Sequence, residues 1–178
     1  MNATECLKGR RSIRKFKTDP IDNKVIEEIV ENASYAPSWK HTQITRYIAI
    51  TGELKDKIGD CTSAYPHNGE IIKSAPMVIA VTIVKNRSGF ERDGSYSTPK
   101  QGGWQMFDAG CATQSFCLSA YEHGLGTVIM GIYDEDKITS LLELPEDREL
   151  ICLIPIGYPD EAPVAPKRKE VSDLLQFK

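Results

Sequence analysis

Residues 9–17 read GRRSIRKFK, which sets five cations, Arg10, Arg11, Arg14, Lys15 and Lys17, within eight residues. The planar fork of a guanidinium suits two-point capture of a phosphate, and Ser12 adds a hydroxyl to the same stretch. A second basic run, Lys167-Arg168-Lys169, lies at the far end of the chain. If folding joins the two, they form a phosphate pocket that needs no glycine-rich loop. Taken alone, either run is equally a solvated basic face. A nucleic-acid patch would want interleaved aromatics, and Phe16 alone offers one.

Other chemistries lack their residues. No G-x-G-x-x-G follows a strand and no G-x-x-x-x-G-K-[ST] occurs, so Rossmann and P-loop sites drop out. His41, His67 and His123 are not paired at metal-ligand spacing, and His123 before Gly124 reads as a cation at a helix C-terminus. No G-x-S-x-G is present, and Ser12 is too closely flanked by arginines to read as a hydrolase nucleophile. The five cysteines (Cys6, Cys61, Cys111, Cys117, Cys152) are odd in number, scattered and without a C-x-x-C pair. They argue against a disulfide framework, structural zinc or an iron–sulfur cluster, and read as reduced core thiols.

The elements that must position these residues fit one domain, residues 1–178. A chain of this length buries roughly 70% of its unfolded surface, and 40% hydrophobic with 26% charged residues is an ordinary globular balance. Twenty-five acidic against 22 basic residues give a net charge of −3, which weighs against a general nucleic-acid binder. The longest apolar run, Met77–Val84, is far short of the roughly 18–20 residues that span a bilayer, so no membrane partner is expected. Glu5 stands where an export signal would be apolar, which predicts a cytoplasmic protein.

Val25, Ile26, Ile29, Val30 and Ala33 predict a helix over 22–36, capped by Asp22, stapled by Ile21 and Ile26 and stopped by Pro37. Residues 46–51 read as a strand, 53–61 as a short helix with Leu54 and Ile58 inward, and Met77–Val84 as a central strand. Residues 85–103 lose all periodicity, as a lid or binding loop does. A long helix over 105–123, apolar all round, is expected to end at Gly124. A strand over 127–133, a capped helix over 134–142 with Ile138, Leu141 and Leu142 inward, and a strand over 149–157 follow. Four or five helices and four strands without repeat or linker give an α+β fold. The terminal apolar cluster Val171, Leu174, Leu175 and Phe177 needs its own subunit or a partner to pack on.

Four segments in order resemble the nitroreductase family of FMN oxidoreductases: RRSIRKF (10–16), APSWKHTQ (36–43), DAGCATQSFCLSAYEHGLGTVIMG (108–131) and IPIGYP (154–159). The resemblance spans nearly the whole chain. It implies a mostly antiparallel central sheet flanked by helices, in an intertwined homodimer with FMN at the interface, residues 162–178 packing on the partner subunit. By matching position, Arg10 and one of Lys167, Arg168 or Lys169 would bind the phosphate. Arg11 and Ser12 would also touch the cofactor, and Arg14 would lie near the pyrimidine edge of its ring. Pro37, Ser38, Trp39 and Gln43 would come from the other subunit, and Met130 and Gly131 would present backbone near N5. His41, Ile44 and Ile129 depart from the Asn, Pro and Trp common in the family, and some members are acidic where Met130 stands.

The implied activity is ping-pong hydride transfer from NADH or NADPH, by way of the flavin, to a nitroaromatic or quinone acceptor. No side chain is catalytic in that scheme, because the cofactor carries the chemistry. Trp39, His41 and the 85–103 loop with Phe90, Tyr96 and nearby Trp104 are candidate walls for the acceptor. Flavin-fragmenting or dehalogenating branches of the fold, and a non-catalytic flavin-binding module, are the alternatives.

Overall fold

A computed structural model of the protein describes residues 2–178. Four antiparallel strands run in the order β1-β2-β4-β3: β1 is Thr45–Ile50, β2 Met77–Val84, β3 Gly126–Thr127 and β4 Arg148–Gly157. β2 is interior, as its unbroken apolar run predicts, and alternate residues feed two cores. Val78 and Ala80 meet Ile58, Ile71, Ile72, Ile138 and Leu153 on one face. Met77, Ile79 and Val81 meet Ile26, Ile29, Phe116, Ala120 and Ile154 on the other.

Helices cover both faces. α1 (Ala3–Gly9), α2 (Asn23–Ser34) and α5 (Gly103–Glu122) are joined by α3 (Gly52–Asp60), α4 (Pro66–Ser74), α6 (Glu135–Leu141) and α7 (Val171–Leu174). Asp22 caps α2 by accepting the Lys24 N–H, and Ile21 and Ile26 are both buried beside that turn. Gly124, at φ +76, ends α5 in the left-handed conformation that glycine adopts without strain. None of these helices is long and apolar enough to cross a membrane.

The seven helices among the described residues exceed the four or five expected. α1 has Cys6 as its single buried residue, and α4 owes its start to Pro66 at N1, so neither carries an apolar stripe long enough to read. In α3, Leu54 is exposed and Lys55 is buried instead. The Lys55 ammonium donates to Ile72 O and Lys73 O, two of the carbonyls that the end of α4 leaves without helical partners. Leu141 is likewise exposed. α5 is not buried all round: Ala109, Ala112, Phe116 and Ala120 face inward while Met106 and Phe107 are exposed.

The strand expected over 127–133 stops at Thr127. Opposite Val128 stands Pro155, which accepts the Val128 N–H at 3.4 Å but has no N–H to return, so the ladder lapses until Met130 bridges Leu153. All five cysteines are free and four are buried. Burial pushes the Cys152 thiol up to about 12, so it stays protonated and unreactive.

His123 closes α5. The Ser119 carbonyl and then Glu28, at 3.1 Å from Nε2, raise its pKa. A raised folded-state pKa stabilises fully below the unfolded value near 6.5 and fades as pH climbs above it. His123→Asn should therefore cost about 0.5 kcal/mol at pH 6 and less at pH 8, in urea unfolding curves.

Candidate functional site

The segment that opens with Arg10 leaves α1 and lies along the β3 edge of the sheet. Ser12 makes a parallel bridge with Thr127, and the Ile13 N–H donates to Thr127 O at 3.0 Å. Ile13 and Phe16 are buried in the core, which anchors the segment and turns its cations outward. Gly126 permits this approach, since a Cβ there would stand 2.6 Å from Ile13 Cγ1.

The two basic runs from opposite ends of the sequence meet. Arg10, Arg11, Ser12 and Arg14 line one cleft of about 300 Å³ together with Pro163, Val164, Pro166 and Arg168. Lys167 and Lys169 are not on its wall; with Glu170 and Asp173 they border a neighbouring surface hollow. Arg11 is turned back on α1, where Nη1 donates to Lys8 O at 2.7 Å and Arg10 O at 2.8 Å. Arg10, Arg14 and Arg168 are therefore the guanidinium groups best placed for an anion in the cleft.

The chain continues from β3 into an outward-facing ledge. The Met130 side chain is buried, and its N–H and C=O both pair with Leu153, at 2.9 and 3.0 Å. The backbone turned away from β4 is that of Ile129 and Gly131, residues whose surroundings are exposed. A Cβ on Gly131 would meet nothing within 4 Å, so the space over it is open. Asn68, from α4, donates to Ile132 O at 3.3 Å and flanks this ledge.

Pro37, Ser38, Trp39 and Gln43 lie elsewhere on the protomer. Pro37, Ser38 and Gln43 border a cavity of about 300 Å³ with Tyr47 and Asp108. Pro37, Ser38 and Trp39 border another of about 210 Å³ with Trp104 and Phe107. Among the described residues these two cavities share no wall with the arginine cleft. Lys40, His41 and Gln43 all have positive φ (44°, 58° and 47°), a conformation that non-glycine residues hold only under outside restraint.

The restraint comes from α5 and from the 85–103 loop. Asp108 Oδ2 accepts the Trp39 N–H at 2.9 Å and the Ser88 hydroxyl at 2.6 Å. Thr42 meets Ser88 at 2.7 Å, Lys40 pairs with Glu91 at 3.0 Å, and the Trp39 and Trp104 rings stand 4.7 Å apart. Asp108 is legible in sequence only as the one carboxylate among the buried residues of a largely apolar helix, a position that demands hydrogen-bond partners.

A four-stranded antiparallel sheet with helices on both faces, and an arginine-lined cleft beside β3, defines an α+β protein. The nitroreductase family sequence model matches residues 7–64 and 62–158, and the chain belongs to that family. A Methanothermobacter thermautotrophicus protein, provisionally named an NADH dehydrogenase/NAD(P)H nitroreductase, is 30% identical over 92% of this chain and 80% of its own length. A Bacillus subtilis protein, provisionally named an NAD(P)H nitroreductase, is 26% identical over 95% of this chain and 90% of its own. A solved structure of an FMN-dependent nitroreductase from Clostridium difficile superposes with a TM-score of 0.75 at 27% identity, covering 98% of both chains.

Proposed function

We propose that the protein is a cytoplasmic FMN-dependent NAD(P)H oxidoreductase of nitroreductase type, working in ping-pong fashion on nitroaromatic or quinone acceptors. The observation that carries this reading is the meeting of Arg10, Arg14 and Arg168 on one cleft, whose Ser12 bridges Thr127 of the strand that leads to the open ledge at Gly131. The donor set suits a phosphate dianion, and the ledge leaves room for a flat ring against backbone. When bound, FMN supplies hydride acceptance and donation. Arg10 and Arg168 bind the phosphate, with the Ser12 hydroxyl beside them. Arg14 provides positive charge that favours the reduced cofactor. Met130 holds the ledge in place through its pair of bonds to Leu153.

Homodimer formation completes the reading. Val164, Val171, Leu174, Leu175 and Phe177 are all at least half exposed on the protomer, as are Phe107 and, nearly so, Met106 on α5. So much apolar surface favours a second copy, with residues 162–178 lying on it and Pro37, Ser38, Trp39 and Gln43 brought to the partner's ring. Deleting residues 171–178 should shift the protein from dimer toward monomer in light scattering. A shortened protein that remains a dimer would remove the tail from the interface.

Turnover tests the activity. Beyond the single equivalent that reduces the flavin, the FMN-loaded protein should oxidise NADH or NADPH without air only when a nitroaromatic or quinone is added, with parallel double-reciprocal plots. Tight flavin binding without turnover on several acceptors would favour a non-catalytic flavin module.

A further inference from the structure

Among the described residues, the last hydrogen-bonded ties between the arginine segment and the C-terminal segment lie at residues 158–161. The Lys17 N–H donates to Tyr158 O at 2.9 Å, Phe16 bridges Pro159, and the Asp160 N–H donates to Lys15 O at 3.0 Å. Glu161 ends the run with its side chain: a single carboxylate oxygen, Oε1, accepts the backbone N–H of Arg14 and, at 3.2 Å, that of Lys15. Hydrogen bonds found past this point, Arg168 Nη1 to Pro166 O, Asp173 N to Glu170 O and Leu175 N to Val171 O, stay within the tail.

Glu161 thus fastens the place where the tail leaves the body, and it does so on the arginine segment itself. Pro163 and Pro166 follow and line the same cleft that Arg168 reaches. Proline fixes φ near −65° and stiffens a short spacer, so a direction set at Glu161 carries through to Arg168.

We infer that Glu161 is a positioning residue for the anion cleft, clamping the backbone at Arg14 and Lys15 so that Arg168 closes over Arg10 and Arg14. This rests on the FMN reading, with the phosphate as the anion. The sign of its effect separates it from a plain charge effect. A carboxylate beside arginines repels a phosphate, so its removal by Coulomb forces alone tightens binding. Loss of a clamp weakens it.

The experiment compares Glu161→Ala, Glu161→Gln, Arg168→Ala and the Glu161→Ala/Arg168→Ala double variant of the full chain by FMN fluorescence titration. Glu161→Ala should raise the FMN Kd by about tenfold, and Glu161→Gln, which keeps the acceptor oxygen, should stay within about threefold of the parent or bind more tightly. The double variant should bind no worse than Arg168→Ala, because the clamp acts through Arg168. Without flavin, trypsin should cut the Lys167–Lys169 run faster in Glu161→Ala, and the Arg14 and Lys15 amides should exchange faster. Unchanged or tighter FMN binding by Glu161→Ala, a penalty that adds to that of Arg168→Ala, a Glu161→Gln loss as large as that of Glu161→Ala, or unaltered cleavage and exchange would each overturn the assignment. A parent protein that takes up no FMN would instead defeat the flavin reading itself, and the two failures are told apart by the parent titration.

Discussion

Replacing Arg10 and Arg168 together with alanine is expected to leave the protein folded but nearly unable to retain FMN. Each guanidinium–phosphate contact is worth roughly 1.5–3 kcal/mol, so each single substitution should raise the FMN Kd by about tenfold to a hundredfold. Because the two groups share one cleft, their losses need not add. The double variant should still be weaker than either single one. Arg10 is partly exposed and Arg168 is exposed, so neither substitution opens a core cavity. Lys167→Ala and Lys169→Ala are the matched controls, since both side chains lie off the cleft wall, and each should change the Kd by less than about threefold. Flavin fluorescence titration reads all of them. Equal affinity of parent and double variant would place the phosphate elsewhere.

Gly126→Ala is expected to damage fold and cleft together. A Cβ at this position would lie 2.6 Å from Ile13 Cγ1, 2.7 Å from Ile13 Cβ and 2.9 Å from Ile13 Cγ2, all atoms of a buried, β-branched side chain that cannot swing aside. The methyl must push β3 away from the arginine segment, against the Ile13–Thr127 bond. Overpacking of this kind costs about 1–3 kcal/mol, which for a chain of this size lowers Tm by roughly 2–12 °C. FMN affinity should fall with it, because Arg10 and Arg14 flank the displaced Ile13. Ile13→Ala removes the Cγ1 and Cγ2 clashes but keeps the Cβ 2.7 Å away, so it should recover only part of the cleft geometry in the Gly126→Ala background. A Gly126→Ala protein with the parent's Tm would show that the two segments are not in tight contact.

Much of the architecture is legible because it rests on local patterns. The run Met77–Val84 reads as an interior strand and is one, since only a strand covered on both faces tolerates eight consecutive residues without a charge. α2 is legible from its stripe and from Asp22 and Pro37 at its ends. The β3 segment is not, because its length is decided by Pro155, a residue whose effect on Val128 appears only when the two strands are paired. Leu54 and Lys55 exchange inside and outside for a similar reason: the end of α4 supplies carbonyls that draw the ammonium in.

The candidate site divides along the same line. The two basic runs declare their chemistry by composition, and the fold brings Arg10, Arg11, Arg14 and Arg168 to one cleft. Which tail cation faces it depends on chain direction after Glu161, a matter of one side chain reaching two backbone N–H groups 146 and 147 positions away. The strained turn at Lys40, His41 and Gln43 is equally silent in sequence, for beside its local bonds to Ser38 it is held by Asp108, Ser88 and Glu91, all distant along the chain.

The most direct measurement is the ultraviolet–visible spectrum of the purified protein, recorded before and after each nicotinamide is added without air. A yellow protein is expected, with flavin bands in the blue and near-ultraviolet that bleach on adding NADH or NADPH. A colourless protein that takes up no added FMN, or a flavin band that neither nicotinamide bleaches, would contradict it.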